Sequence, residues 1–548
     1  MLWSRCSECG SVKSSFFDKT PISSRHQMLS TTNEPPEDAE LAVLRDFASA
    51  TNARLVVLEE GIAELRERLK QLQSERSALS ALQEENTAIL SPIRRVPLEI
   101  LAEIFSWTLP GPHDSEAFAL AGEKAKHSPW ILGHICGRWR AIAVSTPSLW
   151  SLVHVAGEAN MDPLPMLRTQ VARARALKIH FVGFEPDSDS DSDDDDSDES
   201  RSSTQLELFD FLAEHSTRWE ELNVVITPFM VPHFAALCGR LPSLKRLWIQ
   251  WAREDMQNQD TVDVTRCFQT ACSLVDVGVF KDGPHTMLPL LPAHQITSYR
   301  VDTSWEIHVP VLKLAPNIVE ARIFVLDDSE LDSWPDASIE LLHLQRLYTS
   351  FHKILDFIRA PALTEIALTT DGVEAPQDNL SNFFARSSCT PRRLCIQGTP
   401  DPSITAEILN KHPCITSLML LIDEDNSVDE SVDILHRHLT MLTVDDVAPV
   451  VSPHLREIRF GVVGPTFPND SDYSLFIKMV QSRRAPGSRC ALADVLFLTY
   501  ESPALDAATL SAMDALREDG LKLVVRSGKT AEVRWAIKRF VYRVPWIY

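Results

Sequence analysis

The sequence predicts an α/β protein in which an irregular parallel solenoid follows a small all-α domain and a long N-terminal helix. Three observations support this prediction: a heptad of mostly apolar residues over residues 41–90, two amphipathic helical patterns between residues 91 and 153, and a helix–turn–strand order that recurs from residue 163 onward. At 548 residues the chain is too long for one hydrophobic core, so we expect at least two folding units.

Residues 1–39 are polar and carry several Ser and Pro residues, a composition that predicts disorder. Cys6 and Cys9 form a Cys-x-x-Cys pair in this stretch. A zinc site needs four ligands, and no second pair follows at a suitable spacing. We therefore predict that the chain holds no metal.

Residues 40–90 are predicted to form a coiled-coil helix, parallel or antiparallel, through which the chain would associate with itself. The a positions are Leu41, Ala48, Leu55, Ile62, Leu69, Arg76, Gln83 and Leu90, and the d positions are Leu44, Thr51, Leu58, Leu65, Leu72, Leu79 and Asn86. A helix of about 50 residues is roughly 75 Å long, too long to pack wholly on a small domain. A single amphipathic helix folded back on the body is the alternative.

Residues 91–153 are predicted to form a small domain of two helices. Pro97 stands where the first helix would begin, and Leu98, Leu101 and Phe105 then recur at intervals of three and four residues. A second amphipathic pattern covers residues 131–143. The plain interpretation is a helical hairpin with a buried Trp.

These two helices resemble the F-box, most closely in the form found in fungal F-box proteins. The pattern is Pro-x-Glu-Ile-Leu-x-x-Ile-Phe, followed by Cys-x-Arg-Trp-Arg and a closing Leu-Trp, with a longer spacer between the halves than a compact F-box has. The resemblance implies binding to the Skp-family adaptor of a cullin–RING ubiquitin ligase. The adaptor-binding residues that it implies are Pro97, Leu98, Ile100, Leu101, Ile104, Phe105, Cys136, Trp139, Leu149 and Trp150.

Residues 154–548 are predicted to form the solenoid, because one helix–turn–strand unit recurs along them. The pattern Pro-x-apolar-x-x-apolar-x-apolar starts at Pro242, Pro316, Pro361, Pro413 and Pro453, and versions without the Pro start at Leu274 and Leu344. This pattern resembles the leucine-rich repeat, whose strands line a concave face. The Asn or Cys that usually stands eight residues after the first Leu of that repeat is absent here.

Strand alternation predicts which side chains line that concave face. One predicted row consists of Trp248, Gly278, Arg322, Tyr348, Ala367, Met419 and Arg459. Exposed Trp, Tyr and Arg dominate many protein interfaces, so we expect Trp248, Arg322, Tyr348 and Arg459 to contact a target protein through its acidic or phosphorylated segment. The alternative is that these side chains pack inside the protein.

The formal net charge is −23, and nine acids fall between Asp187 and Glu199. Such a run cannot pack, so residues 185–204 are predicted to be a disordered acidic loop. The negative field would repel a phosphate backbone, which argues against nucleic acid as a partner. No secretory leader and no long apolar run stands out, so we expect no membrane association and a cytoplasmic or nuclear protein with reduced thiols.

The sequence contains no phosphate-binding Gly motif, no nucleophile elbow and no His-Glu-x-x-His, so we predict neither an enzyme nor a cofactor. The expected function is the substrate-recognition subunit of a Skp–cullin–F-box ubiquitin ligase, in which the F-box binds the adaptor and cullin assembly while the solenoid binds an unknown target. The alternative is a scaffold that assembles through its coiled coil without ubiquitin transfer.

Overall fold

The computed structural model describes fifteen stretches of the chain. They are residues 4–5, 12–13, 24–109, 129–155, 164–183, 195–251, 265–280, 288–325, 338–370, 376–422, 428–445, 449–462, 470–485, 490–498 and 505–526. These stretches belong to two compact units, unit 1 with residues 1–97 and unit 2 with residues 98–548.

A single long helix, α2, dominates unit 1. It runs from Asp38 to Leu90, 53 residues or about 80 Å, and confirms the predicted N-terminal helix. Glu37 caps its first turn, and the Glu40 side chain accepts a hydrogen bond from the Glu37 backbone N–H at 2.9 Å. Every residue of α2 is at least partly exposed.

Part of the stretch predicted to be disordered, residues 1–39, forms regular structure. The elements found there are strands β1 (Ser4–Arg5) and β2 (Val12–Lys13), which pair antiparallel, and helix α1 (Ser24–Thr31). Arg25 holds α1 at the start of α2, because its guanidinium donates to Glu34 at 3.0 Å and to Glu40 at 3.1 Å. These partly exposed ion pairs link α1 to the start of α2.

Unit 2 begins with a group of short helices. They are α3 (Leu98–Ser106), α4 (Leu132–Ile135), α5 (Gly137–Ser145) and a 3₁₀ turn (Pro147–Trp150). The single second helix predicted for residues 131–143 is therefore wrong, because Cys136 adopts an extended conformation between α4 and α5. Its Sγ then accepts a hydrogen bond from the Trp139 N–H at 3.5 Å and caps α5.

A parallel sheet of fourteen strands forms the centre of unit 2. Its strands are β3 (Leu152–Val155), β4 (Leu177–Val182), β5 (Trp219–Ile226), β6 (Arg246–Trp251), β7 (Asp276–Phe280), β8 (Ser298–Thr303), β9 (Glu320–Val325), β11 (Arg346–Thr349), β13 (Glu365–Thr370), β14 (Arg393–Gly398), β15 (Ser417–Ile422), β16 (Glu457–Val462), β17 (Asp494–Leu498) and β18 (Lys522–Arg526). Each strand pairs only with the sheet strands before and after it in the chain. Strands β10 (Ile339–Glu340) and β12 (Ile358–Arg359) form a separate parallel pair.

The mixed α/β fold class is thereby confirmed. The domain boundary predicted between residues 153 and 154, however, falls within a strand. Residues 153 and 154, where the helical domain was expected to end, both lie inside β3, and β3 pairs with β4 as part of the large sheet. The helical group and the sheet accordingly belong to the same compact unit.

Helices and 3₁₀ turns connect successive strands. The described helices are α6 (Leu164–Arg173), α7 (Asp195–Glu214), α8 (Trp305–Leu314), α9 (Gln377–Ser387), α10 (Pro402–Lys411), α11 (Val428–Leu442), α12 (Asp470–Arg484) and α13 (Ala507–Glu518). The described 3₁₀ segments are Ser216–Arg218, Pro228–Leu237, Thr265–Thr270, Ala293–Gln295 and His352–Phe357. None of the described helices is both long and apolar enough to cross a membrane.

The predicted acidic loop, residues 185–204, is wrong in its second half. Helix α7 begins at Asp195 and takes in residues 195–204, whereas residues 185–194 lie outside the described stretches. The later part of α7 supplies the reason, since Leu208, Phe209 and Leu212 are buried, with at most 2 % of their surface exposed. This packing anchors a helix that then extends upstream into the charged sequence.

One face of the sheet, the helical face, packs against the helices. Ring contacts join the two layers: Phe181 of β4 lies 5.3 Å from Phe209 of α7, and Phe497 of β17 lies 4.7 Å from Phe476 of α12. The second apolar position of the repeat pattern lies on this face in all seven copies. These residues form one row: Leu247, Val277, Ala321, Leu347, Ile366, Leu418 and Ile458. Each of these side chains is at most 5 % exposed.

Candidate functional site

Helix α3 separates buried from exposed apolar residues. Leu101 and Phe105, four residues apart, are 0 % and 1 % exposed. The Phe105 ring lies 4.8 Å from the ring of Trp139 on α5, so this face joins α3 to α5. Trp139 itself is only partly buried.

The closing Leu149 and Trp150 belong to the core of the same helical group. Both are buried, and the Trp150 Nε1–H donates to the Ala143 carbonyl at 2.7 Å. The Trp150 ring meets the ring of Trp130 edge-on at 4.9 Å, and the Arg173 guanidinium lies 4.4 Å above it. These two residues therefore stabilise the group rather than face a partner.

The other face of α3 is an apolar surface open to solvent. Ile100 and Ile104 are 53 % and 42 % exposed, and Trp107, just past the helix end, is 81 % exposed. Their spacing of four and three residues places them along one side of the helix, about 100° around its axis from Leu101 and Phe105. The sequence prediction missed Trp107, although its spacing from Ile104 was the signal that could have identified it.

The ten residues predicted to bind an adaptor thus divide into two groups. Leu101, Phe105, Leu149 and Trp150 are buried, and Trp139 is partly buried. Pro97, Leu98, Ile100, Ile104 and Cys136 are exposed. Ile131 and Ile135, which were not predicted, add further exposed apolar surface next to Cys136.

The sheet has a second face, opposite the helical face, and we call it the ladder face. Its first row is Lys178, Glu221, Arg246, Asp276, Ser298, Glu320, Arg346, Glu365, Arg393, Ser417, Glu457, Asp494 and Lys522. Its second row is His180, Asn223, Trp248, Gly278, Arg300, Arg322, Tyr348, Ala367, Cys395, Met419, Arg459, Leu496 and Val524. The seven residues predicted to share a row do so, and the row also contains His180, Asn223, Arg300, Cys395, Leu496 and Val524.

Ion pairs between neighbouring strands connect the charges of the ladder face. Arg246 lies 3.1 Å from Glu221. Arg300 bridges Asp276 at 2.9 Å and Glu320 at 3.4 Å, with its own side chain only 9 % exposed. An arginine this deeply buried is costly unless acids compensate its charge, and here two carboxylates do so.

The same pattern continues toward the C-terminal edge of the sheet. Arg393 lies 3.7 Å from Glu365 and 3.9 Å from Glu457, and Arg459 lies 3.3 Å from Glu457. At the edge, Lys522 pairs with Asp494 at 2.6 Å. The ladder face is therefore largely neutralised by its own neighbouring strands.

The prediction that Trp248 and Tyr348 present exposed rings is wrong. Trp248 is 2 % exposed and lies across Gly278 of the next strand, where a Cβ atom would come within 2.5 Å of the Trp248 ring. Tyr348 is 7 % exposed and joins an apolar cluster on the ladder face, and its hydroxyl lies 2.8 Å from that of Thr369. Both rings are buried because small or apolar residues on adjacent strands leave room for them.

The two predicted arginines are also already engaged. Arg322 forms an ion pair with Asp302, and its guanidinium lies 5.2 Å from the Phe324 ring and 5.5 Å from the Tyr348 ring. Arg459 pairs with Glu457 as described above. The structure brings Arg322 and Tyr348 together on adjacent strands, whereas Trp248 and Arg459 lie several strands away on either side.

The chain matches no known family model and no curated protein.

A further buried polar pair on the ladder face joins His180 and Glu221, with His180 Nε2 at 3.2 Å from the carboxylate. Burial raises the pKa of Glu221, but the hydrogen bond from His180 and the charge of Arg246 together outweigh this effect. The pKa of Glu221 is therefore lower than its usual value. Glu221 thus stays ionised and serves the ion-pair ladder.

Nothing in the described stretches assembles a metal site, since no group of three or more His, Cys, Asp or Glu side chains is suitably placed there. Cys6 and Cys9 lie outside the described residues. In unit 2, the exposed apolar side of α3 and the ladder face are the candidate functional surfaces.

Proposed function

We propose that this protein is the substrate-recognition subunit of a Skp–cullin–F-box ubiquitin ligase, acting in the cytoplasm or nucleus without chemistry of its own. In this proposal the helical group at the start of unit 2 is the F-box. The observation that carries the proposal is the division of the motif residues: Leu101 and Phe105 form a core, while Ile100 and Ile104 remain exposed beside Trp107. An apolar surface of this kind on a well-packed helix is suited to a protein partner.

Substitution of the exposed residues tests adaptor binding without disturbing the core. Ile100→Asp combined with Ile104→Asp places two charges in the proposed interface and should weaken binding of a Skp-family adaptor by about a hundredfold or more. Leu510→Asp is the matched control, because Leu510 is a 46 % exposed residue on α13. Binding is measured by calorimetry on the full-length protein, with the melting temperature as a check on folding.

Undiminished adaptor binding by the folded double variant would refute the F-box assignment. The Leu98→Ala and Ile100→Ala pair is a milder version of the same test, since both side chains are 53 % exposed.

We further propose that the large sheet and its helices form an irregular solenoid related to the leucine-rich repeat, and that a target protein binds the ladder face. The support is the charge balance of that face. Its bases are Lys178, Arg246, Arg300, Arg322, Arg346, Arg393, Arg459, Lys522 and Arg526, and its acids are Glu221, Asp276, Asp302, Glu320, Glu365, Glu457 and Asp494. This face reverses the acidic excess of the whole chain, which has 76 acids and 53 bases.

Three exposed basic side chains of the ladder face are better candidates for target contact than the buried rings. The side chains of Arg246, Arg393 and Lys522 are 51 %, 44 % and 72 % exposed. In this proposal the buried rings of Trp248 and Tyr348 pack beneath the exposed side chains of the ladder face. Arg322 and Arg459 orient neighbouring acidic side chains through their ion pairs. An acidic target segment would satisfy the remaining positive charge.

A scaffold that assembles through its coiled coil, without ubiquitin transfer, is the second candidate. The observation in its favour is α2, a 53-residue helix whose apolar a and d side chains are exposed. Purification of the endogenous protein distinguishes the two functions. Adaptor and cullin at near-equal amounts support the ligase subunit, whereas partners bound only through α2 support the scaffold.

A further inference from the structure

The apolar stripe of α2 has the character of an interface. Its central a and d side chains are each between 45 % and 71 % exposed: Leu55, Leu58, Ile62, Leu65, Leu69, Leu72 and Leu79. A partner that covered these side chains would remove apolar surface from water, which favours association. Heptad spacing over this length suits another helix of the same kind.

We propose that a second copy of this chain covers the stripe, with the two α2 helices antiparallel. The inference does not depend on the proposed ligase function. Arg76, at an a position, supplies the first argument. In a parallel pair, equivalent a residues face each other, so two Arg76 guanidinium groups would meet at the axis. In an antiparallel pair an a residue faces a d residue, and the two arginines move far apart.

One antiparallel alignment fits the apolar layers. It places Ile62 opposite Leu65, Leu69 opposite Leu58 and Leu55 opposite Leu72 of the second copy. Arg76 then faces Thr51, whose small polar side chain leaves the guanidinium free to reach solvent. The remaining layers combine small or polar residues with leucine: Ala48 with Leu79, Gln83 with Leu44, and Asn86 with Leu41.

Flanking charges select this alignment. At the g positions Arg54 falls beside Glu75, and at the e positions Glu59 falls beside Arg66, each pair occurring twice by symmetry. Two apolar g residues outside the main stripe, Phe47 and Leu82, also meet. No two like charges are opposite each other.

A shift of one heptad in either direction loses this complementarity. One shift places Arg54 beside Arg68 and brings the two Glu59 side chains together. The other brings the two Arg66 side chains together, and likewise the two Arg68 side chains. A parallel pair would match Arg54 with Glu59, but it cannot avoid the contact between the two Arg76 residues. The charges thus favour a single antiparallel register.

Cysteine cross-linking in the full-length protein tests the orientation. Ala48→Cys and Leu79→Cys are introduced singly and together, and the unmodified protein, with its native cysteines, gives the background. The proposed register brings residue 48 of one copy to residue 79 of the other, within disulfide reach. After mild oxidation, only the double variant should form a covalent dimer above background. A dimer formed by either single variant would overturn the antiparallel arrangement.

Charge exchange tests the register by a separate measurement. Arg54→Glu should weaken dimerisation about tenfold, because it creates two like-charged pairs. Adding Glu75→Arg should restore the dimer, since the sequence separation of these residues rules out repair within one helix. Rescue by Glu59→Arg instead would show a parallel coil, and a monomeric mass for the unmodified protein in light scattering would refute self-association.

Discussion

The imidazole of His308 on α8 is fully buried beside β8. The Tyr299 hydroxyl lies 2.9 Å from its Nδ1, and its Nε2 lies 3.3 Å from the Phe324 carbonyl. A carbonyl only accepts, so Nε2 carries the hydrogen and Nδ1 accepts from Tyr299. Burial lowers the pKa of His308 to about 4, against the smaller upward effect of the Phe324 hydrogen bond.

Stability should therefore fall as the pH drops from about 6.5 to 4. In this window the unfolded chain binds a proton at His308 that the folded chain does not, so acidification favours unfolding. The expected loss is about 3 kcal/mol over the whole window. His308→Gln should flatten this part of the curve of unfolding free energy against pH, even if it lowers the curve as a whole.

His343→Gln is the control, because His343 is exposed and should leave the pH slope of the unmodified protein in place. The same slope in the His308→Gln variant would show that other groups cause the acid sensitivity.

At the scale of the element, arginine and glutamine side chains connect neighbouring turns. Arg483 on α12 is 1 % exposed and donates to the carbonyls of Leu442 at 2.6 Å and Val451 at 2.7 Å. Arg218 and Gln295 make similar bonds to the carbonyls at the ends of preceding segments. The repeat copies lack the expected Asn or Cys, and at these three positions a longer side chain satisfies backbone oxygens of a neighbouring segment.

Arg483→Leu should lower the free energy of unfolding by about 3 kcal/mol or more, because it leaves buried carbonyls without donors. Arg437→Leu on α11 is the control, since the Arg437 side chain is 64 % exposed and its pair with Asp433 lies within one helix. The control should change stability by about 0.5 kcal/mol or less. Equal losses in urea denaturation of the two variants would contradict the role given to Arg483.

The repeat pattern predicted half of the large sheet because it depends on local spacing. The pattern does not identify β14 and β18, because Pro391 stands at its first apolar position before β14 and Gly520 does so before β18. The break between α4 and α5 escaped prediction because the amphipathic pattern continues across Cys136, whereas its extended backbone lets Sγ cap α5. Helix propensity carries little information about such a break.

At the scale of the molecule, the rows of the ladder face were predictable, but the exposure of their members was not. Alternation along a strand assigns each residue to a face. Burial of Trp248 depends on Gly278, 30 residues along the chain, and the charge of Arg300 is balanced by acids on both neighbouring strands. Such pairings between strands become visible only when the register is known.

The order of the strands also governs how the molecule should respond to force. Each strand of the large sheet forms backbone pairs only with its predecessor and its successor, so detaching one end leaves the pairing of the other described strands intact. Pulled in optical tweezers by tags placed on either side of unit 2, the sheet should unravel in a series of small extensions from one end. On relaxation it should refold in similar steps, with little hysteresis, because each added strand closes only a short loop. One large rupture would mean that the fourteen strands resist load as a single block.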